Sequence, residues 1–174
     1  MAPKAWLLVA SCIFLTAWPN EPTPAQVKQD LPSRIPNLAG YDGETRQTME
    51  LACIRDKASG PVAYSECLNR QIASLKGSPG IPNLSGYDSE TRQTMELACI
   101  RDKASGPVAY SECLNRQIAS LKGSPGIPNL SGYDGETRQT IELACIRDKA
   151  SGPVAYSECL RKQIEGLSTV PRSQ

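Results

Sequence analysis

The chain has 174 residues, a formal net charge of +1 and no histidine. Aromatic residues make up only 5% of it, too few for a large conventional core, so small folded units would need another source of stability. Acidic and basic residues alternate along the sequence, which excludes the clustered basic surface typical of nucleic-acid binding. The absence of histidine removes the commonest general base and a frequent zinc ligand.

The N-terminal segment has the organisation of a secretion signal. One lysine precedes an apolar, uncharged run over 5–18, which is shorter than the roughly 20 residues that a membrane-spanning helix needs. Small residues stand three and one positions before Gln26, as signal peptidase requires. We therefore predict a signal peptide over residues 1–25, a linker over 26–34 and export of the protein.

A bacterial lipoprotein motif overlaps this segment. Val9-Ala-Ser-Cys12 resembles a lipobox, in which Cys12 would carry a lipid, but the apolar run continues past Cys12 and favours simple cleavage. Either route removes Cys12 from the seven cysteines and leaves the even number that a disulfide framework requires. We expect a periplasmic or secreted protein, with a lipoprotein as the alternative. Membrane contact would then be confined to the signal segment or the lipid anchor.

The rest of the chain is a tandem repeat with a period of 46 residues. The three units and a predicted disordered tail span residues 35–80, 81–126, 127–167 and 168–174. The first two units differ only at Ala39/Ser85 and Gly43/Ser89. Period and composition predict an all-α fold, in which each unit is an antiparallel hairpin of two helices and a Pro/Gly-rich connector follows.

Helix signals in the first unit place the two helices of the hairpin. Asp42 is a good N-cap for the first helix, and Ser59-Gly-Pro61 would end that helix and start the second. Gly77 would cap the second helix at its C-terminus. The buried stripes of the two helices are predicted to comprise Thr45, Met49, Ala52, Cys53, Tyr64, Cys67, Leu68, Ile72 and Leu75.

The positions of the cysteines predict disulfides within each repeat. Cys53 and Cys67 are equidistant from Gly60, so they lie side by side in an antiparallel helix pair. The predicted disulfides are Cys53–Cys67, Cys99–Cys113 and Cys145–Cys159. Closing a loop of about 15 residues is worth roughly 3 kcal/mol in loop entropy, a large contribution for so small a unit.

The connector between units is not a purely polar linker. It carries Ile81, Leu84 and Tyr87, which we expect to fold back over the open apolar groove of a hairpin. The sequence leaves open whether the units stack or hang as separate beads. Contact between units is favoured by the more charged last helix, as expected of a terminal repeat. That helix has Arg161, Lys162, Glu165 and Gly166 in place of Asn115, Arg116, Ala119 and Ser120.

No candidate catalytic, cofactor-binding or metal-binding residue emerges. Structural zinc sites use closely spaced cysteines or Cys/His mixtures, whereas the cysteines of each pair here are far apart in sequence. Ser65 has no histidine base to activate it. A redox pair would prefer Cys-x-x-Cys, and Arg55 and Lys57 beside Cys53 are explained as cations at a helix end. We therefore expect a non-enzymatic protein without a cofactor.

The expected role is multivalent binding or scaffolding of a protein or a cell-envelope polymer, without nucleic acid, because linked identical faces raise the affinity for a repetitive target. Two alternatives remain. Cys53, Pro61, Ala63, Cys67 and Leu75 can be matched to the small cysteine-containing domain of bacterial lysozyme-inhibitor lipoproteins, which each repeat therefore resembles. The resemblance implies an inhibitor of a secreted hydrolase. In that case we expect the hairpin tip, residues 57–61, to act as a plug. The other alternative is thiol–disulfide exchange through an accessible Cys53–Cys67.

Overall fold

The computed structural model describes residues 35–169, and all regular secondary structure in that range is α-helical. The predicted signal peptide (1–25), with Cys12, and the predicted linker (26–34) lie outside the described residues. The helices are α1 (Gly43–Ala52), α2 (Ile54–Ala58), α3 (Pro61–Leu75), α4 (Ser89–Ala98), α5 (Ile100–Lys103), α6 (Pro107–Leu121), α7 (Gly135–Ala144), α8 (Ile146–Lys149) and α9 (Pro153–Thr169). None of these helices is both long and apolar enough to cross a membrane.

Every hairpin begins at an aspartate cap, as predicted. Asp42 Oδ1 accepts a hydrogen bond from the Thr45 backbone N–H at 2.9 Å, and Asp42 Oδ2 accepts one from the Thr45 hydroxyl at 2.6 Å. The same pair of bonds recurs at Asp88 and Asp134. These bonds satisfy a backbone donor that the helix leaves open. They also hold the pKa of all three carboxyls below its ordinary value.

The first helix of each hairpin is interrupted for one residue at its cysteine, where the sequence predicted a continuous helix. Cys53 has φ −99° and ψ 11°, outside the α-helical range. Its N–H still donates to the Met49 carbonyl at 3.1 Å, and its own carbonyl accepts from the Lys57 N–H at 3.0 Å. The i→i−4 hydrogen bonds of the helix therefore continue through the interruption between α1 and α2.

The turn between the helices depends on a glycine. Gly60 has φ 114°, a conformation that only glycine adopts without strain, and Pro61 then opens α3, where its missing N–H costs no hydrogen bond. At the far end of the hairpin Gly77 also has positive φ, 85°, one residue beyond the α3 cap. The third repeat has Thr169 at the position of Gly77, and α9 continues through it. The predicted disordered tail (168–174) therefore begins two residues too early, and 170–174 lie outside the described residues.

The structure has the three predicted intra-repeat disulfides, each with a Cα–Cα distance of 5.7 Å. Each disulfide lies at the centre of a small core. In the first repeat Met49, Tyr64 and Leu68 are buried beside the sulfurs. The disulfide thus supplements a core of only a few large side chains.

The connector covers the core of a hairpin, as predicted, and the structure shows that this is the hairpin that follows it in the chain. Ile81, Leu84 and Tyr87 pack against the core of the second repeat. The Ser111 hydroxyl in α6 holds the connector in place by donating to the Gly80 carbonyl at 2.9 Å. The corresponding bond in the third repeat, from Ser157 to Gly126, is 3.0 Å long.

The three repeats stack on one another. α1 packs against α5 and α6 of the second repeat, α4 packs against α8 and α9 of the third, and α6 lies between α3 and α9. An ion pair crosses each junction: Lys103 Nζ lies 2.5 Å from Glu44 Oε1, and Lys149 Nζ lies 3.6 Å from Glu90 Oε1. The described repeats are therefore a short solenoid and not separate beads.

Candidate functional site: a row of exposed Leu–Ile pairs

Each repeat exposes one leucine and one isoleucine on its first helical segments. The two residues are three positions apart and lie on either side of the one-residue interruption at the cysteine, one in each helical segment. The pairs are Leu51 and Ile54, Leu97 and Ile100, and Leu143 and Ile146. We call these six residues the Leu–Ile row.

The isoleucines of the row are equally exposed in all repeats, at 55%, 52% and 53% for Ile54, Ile100 and Ile146. The leucines differ: Leu51 and Leu97 are 39% and 40% exposed, whereas Leu143 is 69% exposed. The helices carrying Leu51 and Leu97 pack on the following repeat, whereas α7 has no later repeat beside it in the described chain, and we attribute the lower exposure of these two leucines to that packing. The row thus lies beside the junctions, with the isoleucines clear of them.

Stacking leaves this row exposed although it buries other repeated positions. A scattered exposed apolar side chain is ordinary in a soluble protein, and recurrence alone follows from the near-identity of the repeats. At the junctions, however, Thr48, Thr94 and Pro107 are fully buried. The Leu–Ile row is therefore an apolar feature that the assembled solenoid still presents three times.

The surroundings of the row suit an interface. An exposed arginine follows each isoleucine, at Arg55, Arg101 and Arg147. Arginine and large apolar side chains are enriched at protein interfaces relative to other surfaces. Since α1 packs against α5, and α4 against α8, the helices that carry successive pairs are neighbours.

The sequence predictions did not identify Leu51 and Ile54 as site residues. The predicted buried stripe of the first helix ran through Thr45, Met49 and Cys53, and these three are buried. The available signal was the presence of two large apolar residues off that stripe, repeated in every unit. Such residues are either covered by another unit or exposed for a partner, and only the structure distinguishes these cases.

The predicted disulfide cysteines are poorly accessible. Cys53, Cys99 and Cys145 are fully buried. Of their partners, Cys67 and Cys113 are 3% and 4% exposed, and Cys159 is half-buried. Thiol–disulfide exchange needs a thiolate to reach one of the sulfurs. This burial leaves little access to the Cys53–Cys67 disulfide, whereas Cys159 is the more accessible sulfur of the third repeat.

Two of the three hairpin tips are occupied by stacking. Gly106 and Pro107 are buried, and Lys103 is held between Glu44 and the ring of Tyr110, whose centroid is 5.0 Å from its ammonium nitrogen. Pro61 at the first tip is exposed. A plug that uses the whole tip could therefore be formed only by the first repeat.

Stacking also perturbs the tyrosines near the tips. Burial, with a further contribution from the negative charge of Glu90, raises the pKa of Tyr156 to about 12. Burial raises the pKa of Tyr110 in the same way, with Glu44 as its charged neighbour. These phenols therefore stay neutral across the physiological range.

Among residues 35–169 no group of three or more His, Cys, Asp or Glu side chains could hold a metal ion. The three intramolecular disulfides indicate an oxidising compartment outside the cytoplasm. No protein family matches the chain, and no curated protein or solved structure is significantly similar to it.

Proposed function

We propose that the protein is an exported, non-enzymatic binding or scaffolding module that contacts a repetitive protein or cell-envelope polymer through the Leu–Ile row. One observation carries the proposal. The same apolar pair remains exposed in each of three repeats, although stacking buries other repeated positions such as Thr48, Thr94 and Pro107.

The size of the row makes a single pair a weak site. Each isoleucine is about half exposed, so covering the remainder with a partner is worth about 1 kcal/mol, or roughly fivefold in affinity. Three such contacts on one chain reinforce one another only where the target can engage them together. This favours a regularly repeating target over a small monomeric one.

The disulfides contribute to this function by keeping the three sites in fixed positions. In the first repeat the disulfide joins the cysteine between α1 and α2 to α3, and the other repeats have the equivalent bond. Contacts at the junctions then hold successive repeats together. A rigid presentation lowers the entropy lost when several contacts form at once. The spacing of the row is therefore set by the fold.

The isoleucines provide a graded test because their exposures match. We would replace Ile54, Ile100 and Ile146 by serine in one, two and all three repeats of the full chain. Each version would be cross-linked in its native compartment, and the recovered partners would be quantified by mass spectrometry. We expect recovery of the same partner to fall with every added substitution, and by about a hundredfold for the triple variant.

Ile35→Ser is the matched control, since Ile35 is 49% exposed and lies outside the row. It removes a comparable apolar side chain and should leave recovery unchanged. The proposal is refuted if the triple variant recovers the same partners in wild-type amounts. It is also refuted if Ile35→Ser lowers recovery as much as a substitution within the row.

A further inference from the structure

The two ends of the solenoid present different faces. These are the same two faces that meet wherever one repeat stacks on the next. At a junction the earlier repeat contributes a back face and the later repeat a front face. At the first junction the back face comprises Glu44, Thr45, Thr48 and Gln71, and the front face comprises Lys103, Gly106, Pro107 and Tyr110. The back face of the third repeat and the front face of the first repeat have no neighbour among the described repeats.

The threonines of the back face are suited to burial. Thr48 and Thr94 are fully buried at the two junctions. The Thr48 hydroxyl donates to the Glu44 carbonyl of its own helix at 2.8 Å, so its burial leaves no polar group without a partner. Thr140 makes the same bond, at 2.9 Å to Glu136, yet its side chain is exposed at the end of the stack.

A glutamine and a glycine fix how closely two repeats approach. A Cβ atom on Gly106 would lie 2.2 Å from Gln71 Oε1, and a Cβ on Gly152 would lie 2.2 Å from Gln117 Oε1. Gly60, at the same position in the first repeat, has nothing within 4 Å of such a Cβ. The equivalent glutamine of the third repeat, Gln163, is exposed.

The charges at the two ends also match. The junction ion pairs are Glu44–Lys103 and Glu90–Lys149. Glu136 is the third-repeat equivalent of Glu44 and Glu90, and it lies on the exposed back face. Lys57 is the first-repeat equivalent of Lys103 and Lys149, and it lies on the exposed front face. Each end therefore displays the charge that pairs with the other end.

We propose that the partner of these ends is a second copy of this chain, whose first repeat docks on the third repeat of the chain before it. Glu136 would pair with Lys57, Gln163 would lie against Gly60, and Thr140 would be buried. The interface joins a front face to a back face, and each dimer still has one free face of each kind. Further copies can therefore add at both ends and build a linear stack, unless the rotation between successive copies closes a ring.

Two of the four substitutions in the last helix, Lys162 and Gly166, fall on the back face, since their equivalents Arg70 and Ser74 line the first junction groove. They keep the charge sign and add no bulk, and the other two point to the connector. Arg161 Nη2 donates to the Gly126 carbonyl at 2.9 Å, so it holds the connector of its own repeat. Glu165 lines a groove with Pro128 and Tyr133 on that same connector side. The back face forms an open groove lined by Glu136, Thr137, Thr140, Ile141, Gln163, Gly166 and Leu167, and Gly166 removes a side chain there.

Charge reversal tests the pairing without disturbing the fold, since Lys57 and Glu136 are exposed. The measurement is sedimentation velocity of the full chain over a series of concentrations. We expect the mass of the wild type to rise with concentration. Lys57→Glu or Glu136→Lys alone should move the association to about tenfold higher concentration, because like charges would meet. The double variant should restore it.

Two blocked variants test the polarity of the stack. Thr140→Arg blocks the back face. Val62→Arg blocks the front face, since its equivalent Val108 lines the junction groove with Gln71 and Ser74. Each variant alone should be monomeric, with an unchanged far-UV circular dichroism spectrum, and an equimolar mixture should stop at a dimer.

Four results would overturn the proposal. They are a wild-type chain that stays monomeric throughout, association that the single reversals leave unchanged, a double reversal that fails to restore association, and a mixture of blocked variants that forms no dimer. The Leu–Ile row is tested separately, because its isoleucines lie outside both junction faces.

Discussion

Alanine at Gly106 should destabilise the fold more than alanine at the equivalent Gly60. Both glycines have positive φ, 122° and 114°, with extended ψ, in a region that is essentially restricted to glycine. That strain costs about 1–3 kcal/mol at either position. Only Gly106 also has a neighbour in the way, since the new Cβ would lie 2.2 Å from Gln71 Oε1.

Displacing Gln71 adds a smaller cost to Gly106→Ala, about 0.5–1.5 kcal/mol, because the atoms in the way are the end of a flexible side chain that can turn aside. We therefore expect a loss of unfolding free energy of about 2 kcal/mol for Gly60→Ala and about 3 kcal/mol for Gly106→Ala. The assay is equilibrium unfolding in urea with the disulfides intact, at a concentration where the chain is monomeric. The unfolding slope m is compared first, because repeat arrays can lose two-state behaviour.

The variant Gln71→Ala isolates the contact between the repeats. Combined with Gly106→Ala it should recover the packing cost and leave only the backbone strain. Combined with Gly60→Ala it should have an additive effect, because Gln71 does not contact Gly60 in the same chain. Equal losses for the two glycine variants, or additivity in both combinations, would show that Gln71 does not set the approach of the repeats.

Two further predictions concern the staples and the buried phenols. Replacing Cys53 and Cys67 together by alanine should lower the unfolding free energy by about 3 kcal/mol, because the unfolded chain regains the freedom of a loop of about 15 residues; an unchanged urea midpoint would contradict this. The pKa of Tyr156 is raised to about 12, so its neutral burial contributes stability that is complete below pH 10 and is lost as the pH rises through about 12. In urea unfolding measured at successive pH values, the unfolding free energy of Tyr156→Phe should fall less between pH 10 and 12 than that of the wild type. An equally steep fall in the variant would show that another group causes it.

Interactions within one repeat were predictable from the sequence. The disulfide pairing followed from the distances of Cys53 and Cys67 to Gly60 along the chain, and the caps followed from residue type at Asp42 and Pro61. All of these depend on neighbours within a short stretch, where helix geometry fixes which side chains meet. The one-residue interruption at Cys53 was not predictable, since its hydrogen bonds are those of a continuing helix.

The sequence favoured contact between the repeats, and they do stack, but the residues that make the contact were not predictable. Glu44 and Lys103 are 59 residues apart and look like ordinary surface charges in the sequence. The charged last helix was interpreted as the mark of a terminal repeat, but Arg161 instead holds the connector of its own repeat. Each position in a repeat occurs three times with nearly the same sequence around it. Only the way in which the repeats stack shows which of the three copies is buried by a neighbouring repeat.

The two proposed surfaces can act in the same molecule because stacking treats them differently. The exposure of the isoleucines is nearly constant from Ile54 to Ile146, whereas the leucine exposure falls from 69% at the free end to 39–40% at a junction. Adding a second copy would therefore cover Thr140 and part of Leu143 and leave every isoleucine available. The number of isoleucines in one assembly would then rise with the concentration of the wild type, and so would its avidity for a repetitive target. A chain carrying Thr140→Arg would keep only the isoleucines of its own three repeats at every concentration.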